Sequence, residues 1–343
     1  MRMKHYSFKI LAFLLIFGTA CLLGMIACDK KAAEKPFKVG LLLPGSASDA
    51  GWNALAFEGL KAIEKELGAQ ISHIESRTPA DQEDHFRSYA QNGYSLVFGH
   101  GYEYQDPAKA VAPDFPGTVF VTSSGSTILK NVAPIVFEME EATYLLGVIA
   151  GMMTQTGKVG VVGGTNIPSI NSTFMAFEGG VKAANPDAEV RRAYVGDWDN
   201  IGKAKEIALA QINEGIDFIF HNANAAGRGV FEAMENARQS GKDVFCFGSN
   251  RDQSHVSPTT ILANAVISLD CFVRVARSVK DGTFEAKTLN MTMSNDEAIK
   301  VVYNPELADK IPEHVTKKVE EVKSQILAKQ IEVPRIHFGV DDL

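Results

Sequence analysis

The chain is poor in the residues that most often carry chemistry. Of its 343 residues, four are cysteines and two are tryptophans. Cys21 and Cys28 fall near the start, which leaves only Cys246 and Cys271 for the body of the protein. Two cysteines make no disulfide framework and offer no metal-ligand spacing, so buried, inert thiols are expected. The eight histidines are scattered, and no HExxH, GxSxG or phosphate-cradling GxxxxGK[ST] pattern occurs. The glycine-rich stretch GVVGGTN (160–166) lacks the GxGxxG spacing of a dinucleotide site. These absences point away from an enzyme, and no cofactor or metal is expected. Low-complexity tracts are missing as well, and 45% apolar with 22% charged residues is the composition of a globular protein.

Long hydrophobic runs are absent except at the N-terminus. There Arg2, Lys4 and Lys9 precede ILAFLLIFGTACLLGMIA, which stops at Cys28 and gives way to the polar DKKAAEK. A basic region, an apolar region and small Ala27 before the break predict a signal peptide over 1–27. Met25-Ile26-Ala27-Cys28 resembles a bacterial lipobox, so Cys28 is the expected lipidation site and 28–36 a lipidated tether. The alternatives are an uncleaved anchor helix with an incidental cysteine, or lipidation at Cys21, whose apolar surroundings continue past it. The expected location is the cell membrane, lipid-anchored and facing the periplasm or exterior. Positive charge is also scarce. Without residues 1–27 the chain carries 31 Lys+Arg against 41 Asp+Glu, a formal charge of −10. Phosphate backbones need a basic patch, so nucleic acid is not an expected partner.

From Phe37 onward, short apolar runs alternate with helix-period segments. KVGLLLP (38–44) reads as a buried strand. A helix over 51–67 follows, with Trp52, Leu55, Ala56, Leu60, Ile63 and Leu67 on one stripe. Strands are predicted at 70–75, 95–99, 118–122 and 132–138, with helices at 81–91 and 105–112. A helix at about 140–155 opens a second series: strand 158–162, helix 171–184, strand 188–195, helix 201–213, strand 216–220, helix 227–239 and strand 243–247. The segment 313–329 predicts a further helix with Val315, Val319, Val322 and Ile326 on one face. Alternation of this kind predicts parallel sheets covered on both faces. A repeat supports two similar lobes: KVG at 38–40 and 158–160, and AFEG at 56–59 and 176–179, each pair 120 residues apart. The small residues of AFEG are expected to let the helix lie close on its sheet.

In open parallel sheets ligands bind at the carboxyl ends of the strands. That selects 44–53, 99–105, 122–126, 163–172, 196–200, 221–228 and 248–254. The first holds Asp49, Trp52 and Asn53, and the second His100. Trp198 follows a strand of the second series, so both tryptophans fall in predicted cleft loops. HNANAAGRG (221–229) adds Asn222 and Asn224, and GSNRDQ (248–253) adds Asn250, Arg251, Asp252 and Gln253. A flat ligand needs a stacking face and directional hydrogen bonds, which tryptophan and asparagine supply. The plainer readings are that Asp49 caps a helix, that Trp52 is core, and that Arg251 and Asp252 form a local salt bridge bracing a hinge.

KVGLLLPGSASDAGWNALAFEG, FGHG, ATYLLGVIAG, MAFEGGVKAANPDAEV, GRGVFEA, GSNRDQ and ILAKQIEVP, in that order, make the chain resemble the basic membrane protein (BMP) family. Its members are purine nucleoside receptor-like lipoproteins of ABC importers. The resemblance runs from about Lys38 to Pro334. It implies an α/β type I periplasmic-binding-protein fold, with two doubly wound parallel-sheet lobes joined by hinge segments. The N-terminal lobe is expected to hold 37–138 plus about 250–282, the C-terminal lobe 139–249 plus about 283–343. The implied partners are a small-molecule ligand, a purine base or nucleoside, and an ABC permease powered by a cytoplasmic ATPase. By resemblance Trp52 stacks on the purine beside Asn53, and Phe220 lies near a second aromatic wall. The nucleoside-binding pattern expects an aspartate and a lysine for ribose where this chain has Asn250 and Ile267. An amide cannot match a carboxylate's charge-assisted acceptance of two hydroxyls, and isoleucine offers no hydrogen bond. Those departures leave room for a free base or a related heterocycle. A sugar receptor of the same fold, or a ligand-sensing module for a signalling partner, are the alternative readings.

Overall fold

Each of the two strand-helix series forms the body of a six-stranded sheet that later strands complete. The computed structural model describes residues 35–294 and 298–336; the expected signal peptide, lipidated Cys28 and all but the last two residues of the tether lie outside these residues. The unit Phe37–Leu343 is the one considered below. The first series runs β1 (Lys38–Leu43), α1 (Trp52–Leu67), β2 (Gln70–Glu75), α2 (Pro79–Gln91), β3 (Leu96–Gly99), α3 (Gln105–Val111), β4 (Val119–Ser123) and β5 (Val132–Phe137). The second continues with α4 (Glu140–Met153), β6 (Lys158–Gly163), α5 (Pro168–Ala184), β7 (Glu189–Tyr194), α6 (Ile201–Asn213), β8 (Phe218–Asn222), α7 (Gly227–Gln239) and β9 (Phe245–Asn250). After these come β10 (Ile261–Ile267), α8 (Asp270–Lys280), β11 (Leu289–Met291), β12 (Ile299–Tyr303) and α9 (Glu313–Leu327).

The first sheet has the order β11-β5-β4-β3-β1-β2 and is parallel throughout. The second has the order β12-β10-β9-β8-β6-β7 and is parallel except for β12, which runs antiparallel to β10. Strand β1 shows why such strands read as continuous apolar runs. Leu41 and Leu43 enter the core that holds Leu55 and Leu60 of α1, while Leu42 enters the opposite core with Phe86 and Ala90 of α2. Both faces are covered, so no position is left for a polar side chain. Helix α1 ends at Gly68, whose φ of 64° lets its N–H reach the Glu64 carbonyl.

The chain passes between the sheets three times, after β5, between β10 and β11, and between β11 and β12. The last third departs from the expected lobe boundaries. Strand β10 lies in the second sheet, in register with β9 through Asn264↔Gly248 and Val266↔Asn250. Helix α8 then returns to the first lobe, where Phe272 packs on Gly59 of α1 and Lys280 Nζ donates to the Leu67 carbonyl at 2.8 Å. Strand β11, placed by the sequence with the second lobe, extends the first sheet beside β5.

The repeat is structural, with a correction. KVG opens β1 and β6, and AFEG lies within α1 and α5. Its glycines do not face their sheets: a Cβ at Gly59 would stand 2.5 Å from the Phe272 ring, and one at Gly179 would stand 3.0 Å from Pro334. Both admit a later segment of chain. Cys246 and Cys271 are free and buried. Burial pushes their thiols up to about 12 and about 11.

Candidate functional site

The site is built around the start of α1. An α-helix leaves its first backbone N–H groups without intrahelical acceptors. Asp49, only 8% exposed, takes three of them: Gly51 N–H at 2.8 Å, and Asn53 and Ala54 N–H at 3.0 Å each. Its carboxylate is thereby committed to capping, and Asp49 is corrected from a ligand contact to a helix cap. The Trp52 N–H goes elsewhere, to Asn224 Oδ1 in the loop after β8, at 3.0 Å.

Trp52 is stacked on His100, with ring centroids 3.9 Å apart and planes 21° apart, and meets the Phe137 ring edge-on at 5.9 Å. Two reciprocal hydrogen bonds lock the pair. Trp52 Nε1 donates to the His100 carbonyl at 3.2 Å, and His100 Nε2 donates to the Trp52 carbonyl at 3.0 Å. A carbonyl can only accept, so the proton sits on Nε2, and Nδ1 accepts from the Ser123 hydroxyl at 2.9 Å. Burial lowers the His100 pKa to about 3, so the ring is neutral. With both nitrogens engaged, His100 is corrected from a polar ligand contact to the backing of Trp52. The histidine is fully buried and the tryptophan partly exposed, so the accessible ring of the pair is the indole. Next to it Asn53 is 2% exposed, and its Oδ1 is buried without a hydrogen-bond partner. A buried acceptor left open costs about 1–3 kcal/mol, which a donor on a bound molecule would recover.

In the second lobe the expectations divide. Asn222 ends β8, buried, with Nδ2 on Thr173 Oγ1 at 3.3 Å. Asn250 ends the neighbouring β9, buried, with φ of 70°. Trp198 is partly buried over Gly164, where a Cβ would meet its ring at 2.2 Å; its carbonyl accepts from Ala226 N–H at 2.8 Å, two residues past Asn224. Phe220 is corrected. It is fully buried, stacked on Phe177 at 5.2 Å and edge-on to Phe174, because alternate residues of β8 face the core under α5. Asp252 is exposed and spends Oδ1 on Ser254 N–H and Asn264 Nδ2, so it braces its own loop against β10. Arg251 does not pair with Asp252. It reaches across to Glu58 of α1 at 2.7 Å.

Sequence reasoning gave no role to Gln253, which is 2% exposed. Its Oε1 accepts from Ser249 N–H at 3.0 Å and from His221 Nε2 at 3.1 Å, which aims its Nε2 at the Ala50 carbonyl of the first lobe, 3.1 Å away. His221 is neutral, its pKa lowered to about 4 by burial. The signal was present, since Gln253 closes GSNRDQ, but its partners are scattered through the chain. Left-handed backbone gathers at the same place. Among the described residues, four of the five non-glycine positions with positive φ are Ala50, Ser124, Asn224 and Asn250. All four lie at strand carboxyl ends or in the loops that follow them. Strain of this kind persists where the surroundings over-determine it. Also among the described residues, no group of three or more His, Cys, Asp or Glu is placed to hold a metal.

A family model described as Bmp, ABC transporter substrate-binding protein PnrA-like, matches residues 37–337. The chain is 31% identical to a CD4+ T-cell-stimulating antigen of Listeria monocytogenes, covering 97% of this chain and 99% of that one. It is 26% identical to a purine-binding protein of Brucella abortus, over 91% of this chain and 87% of the other. An ABC transporter solute-binding protein of Aeropyrum pernix superposes with a TM-score of 0.80 at 22% identity, over 88% of this chain and 95% of that one. The architecture is therefore that of periplasmic binding proteins.

Proposed function

The chain belongs to the Bmp family of PnrA-like ABC transporter substrate-binding proteins, and from that premise we propose that it is a lipid-anchored, extracytoplasmic receptor that presents a purine to an ABC permease. Families of this kind bind and deliver; they do not catalyse. The ligand is a purine base or nucleoside, stacked on Trp52 and hydrogen-bonded by Asn53 and by the second-lobe amides Asn222 and Asn250.

One observation carries the reading. Trp52 is held rigid by a stacked, neutral His100 and two crossed hydrogen bonds, beside an asparagine whose Oδ1 is buried without a partner. A fixed indole costs little entropy to use as a stacking face, and an open amide oxygen selects a ring N–H or amino group. The free base is favoured over the nucleoside. Asn250 pairs with Val266 across β9 and β10, so Ile267 stands one residue past it, fully in the core. The two positions expected to hold a ribose thus offer one amide and no charge.

The test is to release and identify by mass spectrometry what co-purifies with residues 29–343. Calorimetry with adenine, guanine, hypoxanthine, adenosine, inosine and arabinose follows. A purine base is expected to bind at least about tenfold more tightly than its nucleoside. Tight binding of arabinose with no purine binding overturns the reading and leaves a sugar receptor on the same fold.

A further inference from the structure

We propose that Asn224, Arg251 and Gln253 of the second lobe form a latch on the first turns of α1, which sets how long the closed cleft stays shut. The inference rests on reading this cleft as the ligand site, and it adds the residues that time release.

The first lobe caps α1 incompletely. Of the first four N–H groups of α1, Asp49 satisfies those of Gly51, Asn53 and Ala54 from within the same lobe. The fourth, on Trp52, is satisfied by Asn224 Oδ1 from the facing lobe at 3.0 Å. No side chain caps the helix at its N-cap residue, Gly51. The helix that carries the stacking tryptophan is therefore fully capped only when the lobes meet. Asn224 is shaped for the task. It sits at φ 51°, a left-handed conformation that asparagine tolerates better than most residues. The residue it meets is glycine, where a Cβ would stand 2.7 Å from the asparagine oxygen.

Two further contacts fall on the same helix and its entry. Gln253 Nε2 donates to the Ala50 carbonyl, and its amide cannot turn away because Ser249 N–H and His221 Nε2 both hold its oxygen. Arg251 and Glu58 close an ion pair at 2.7 Å that is partly shielded, with side chains 22% and 40% exposed. Three separate groups, two amides and a guanidinium, thus reach from the loops after β8 and β9 to residues 50–58. None of the three contacts consumes Asn53 Oδ1, so latch and ligand do not compete for it.

The deciding readouts, amide exchange and X-ray scattering, need no ligand. Asn224→Gly keeps the left-handed backbone and removes only the side chain. It is expected to accelerate hydrogen exchange of the Trp52 amide about tenfold or more in ligand-free protein, and to leave the Ala54 amide, capped by Asp49, unchanged. Arg251→Glu is expected to raise the solution radius of gyration by X-ray scattering, and the double variant E58R/R251E to bring it back. With adenine as probe, both single variants are expected to raise the dissociation rate about tenfold while the association rate changes less than threefold. Unchanged Trp52 exchange in Asn224→Gly, or a charge swap that fails to restore compactness, overturns the latch. Circular dichroism identifies any variant that is simply unfolded; should Arg251→Glu fail there, the Trp52 exchange decides. If adenine does not bind while the exchange and scattering results hold, the purine reading falls and the latch stands.

Discussion

Trp52 and His100 act as one object, two rings stacked and tied by each other's backbone carbonyls. Trp52→Ala removes the exposed half, and affinity for the proposed purine ligand is expected to fall more than about tenfold by calorimetry; unchanged affinity removes Trp52 from the site. His100 and His221 give the fold a pH dependence. Their folded pKa values, about 3 and about 4, lie below the ordinary 6.5 because burial disfavours the cation. As pH falls below 6.5 the unfolded chain binds protons that the folded chain refuses. The stability from both residues is thus fully present above that pH and is lost on the way down to their folded values. Between pH 7.5 and 5.0, urea unfolding is expected to show a loss on the order of 2–4 kcal/mol, and His100→Gln to make the dependence shallower. At this scale the sequence was legible where one residue type implies one chemistry. The placement of Trp52 and Asn53 just past the first strand, at the start of the helix that follows, was read directly from the letters. His100 and Asp49 sat in similar loops: for Asp49 the plainer reading, a helix cap, describes its contacts, whereas the partners of His100, a backbone carbonyl and the distant Ser123 hydroxyl, leave no spacing to read in the sequence.

Helices α4 and α5 approach so closely that their backbones touch. A Cβ on Gly147 would lie 2.0 Å from the Phe177 carbonyl oxygen, and one on Gly180 would lie 2.0 Å from that of Tyr144. Backbone cannot be pushed aside as a side chain can. Gly147→Ala is expected to cost about 3 kcal/mol by chemical unfolding, whereas Ala at the open turn of Gly117, with nothing within 4 Å of its Cβ, tests substitution without a clash. The elements themselves were largely readable, since a buried parallel strand and an amphipathic helix each leave a strong period. Helices α6 and α7 fall at the predicted bounds, 201–213 and 227–239. What escaped was the run from β10 to β12. Strand β10 carries a buried Asn264 in mid-strand, whose amide is spent on Asp252, Ser254 and Gln253. Strand β11 is three residues long, too short to show any period.

At the scale of the molecule, a C-terminal segment ties the lobes at the hinge. Pro334 packs on Gly179, Arg335 pairs with Glu138 and Glu141 beside the first crossing, and Ile336 N–H reaches Ser172 Oγ at 2.9 Å. Ser172 in turn donates to Glu140, whose carboxyl burial pushes up. Arg335→Ala leaves three glutamates facing one another without their cation. Thermal unfolding is expected to show a loss of about 1–3 kcal/mol, below the cost of a fully buried pair because water still reaches the site; Arg335→Lys should recover part of it. Two lobes and a cleft were legible from the repeat and the strand-helix rhythm, but which late strand joined which sheet was not, because crossings are decided by distant pairing. The two buried thiols have a practical consequence. Neither Cys246 nor Cys271 ionises near neutral pH, so a maleimide dye added to residues 29–343 finds no native target. A single cysteine introduced at exposed Tyr102, two residues past the histidine that backs Trp52, takes the dye alone, and its emission is expected to change when a solute enters the cleft.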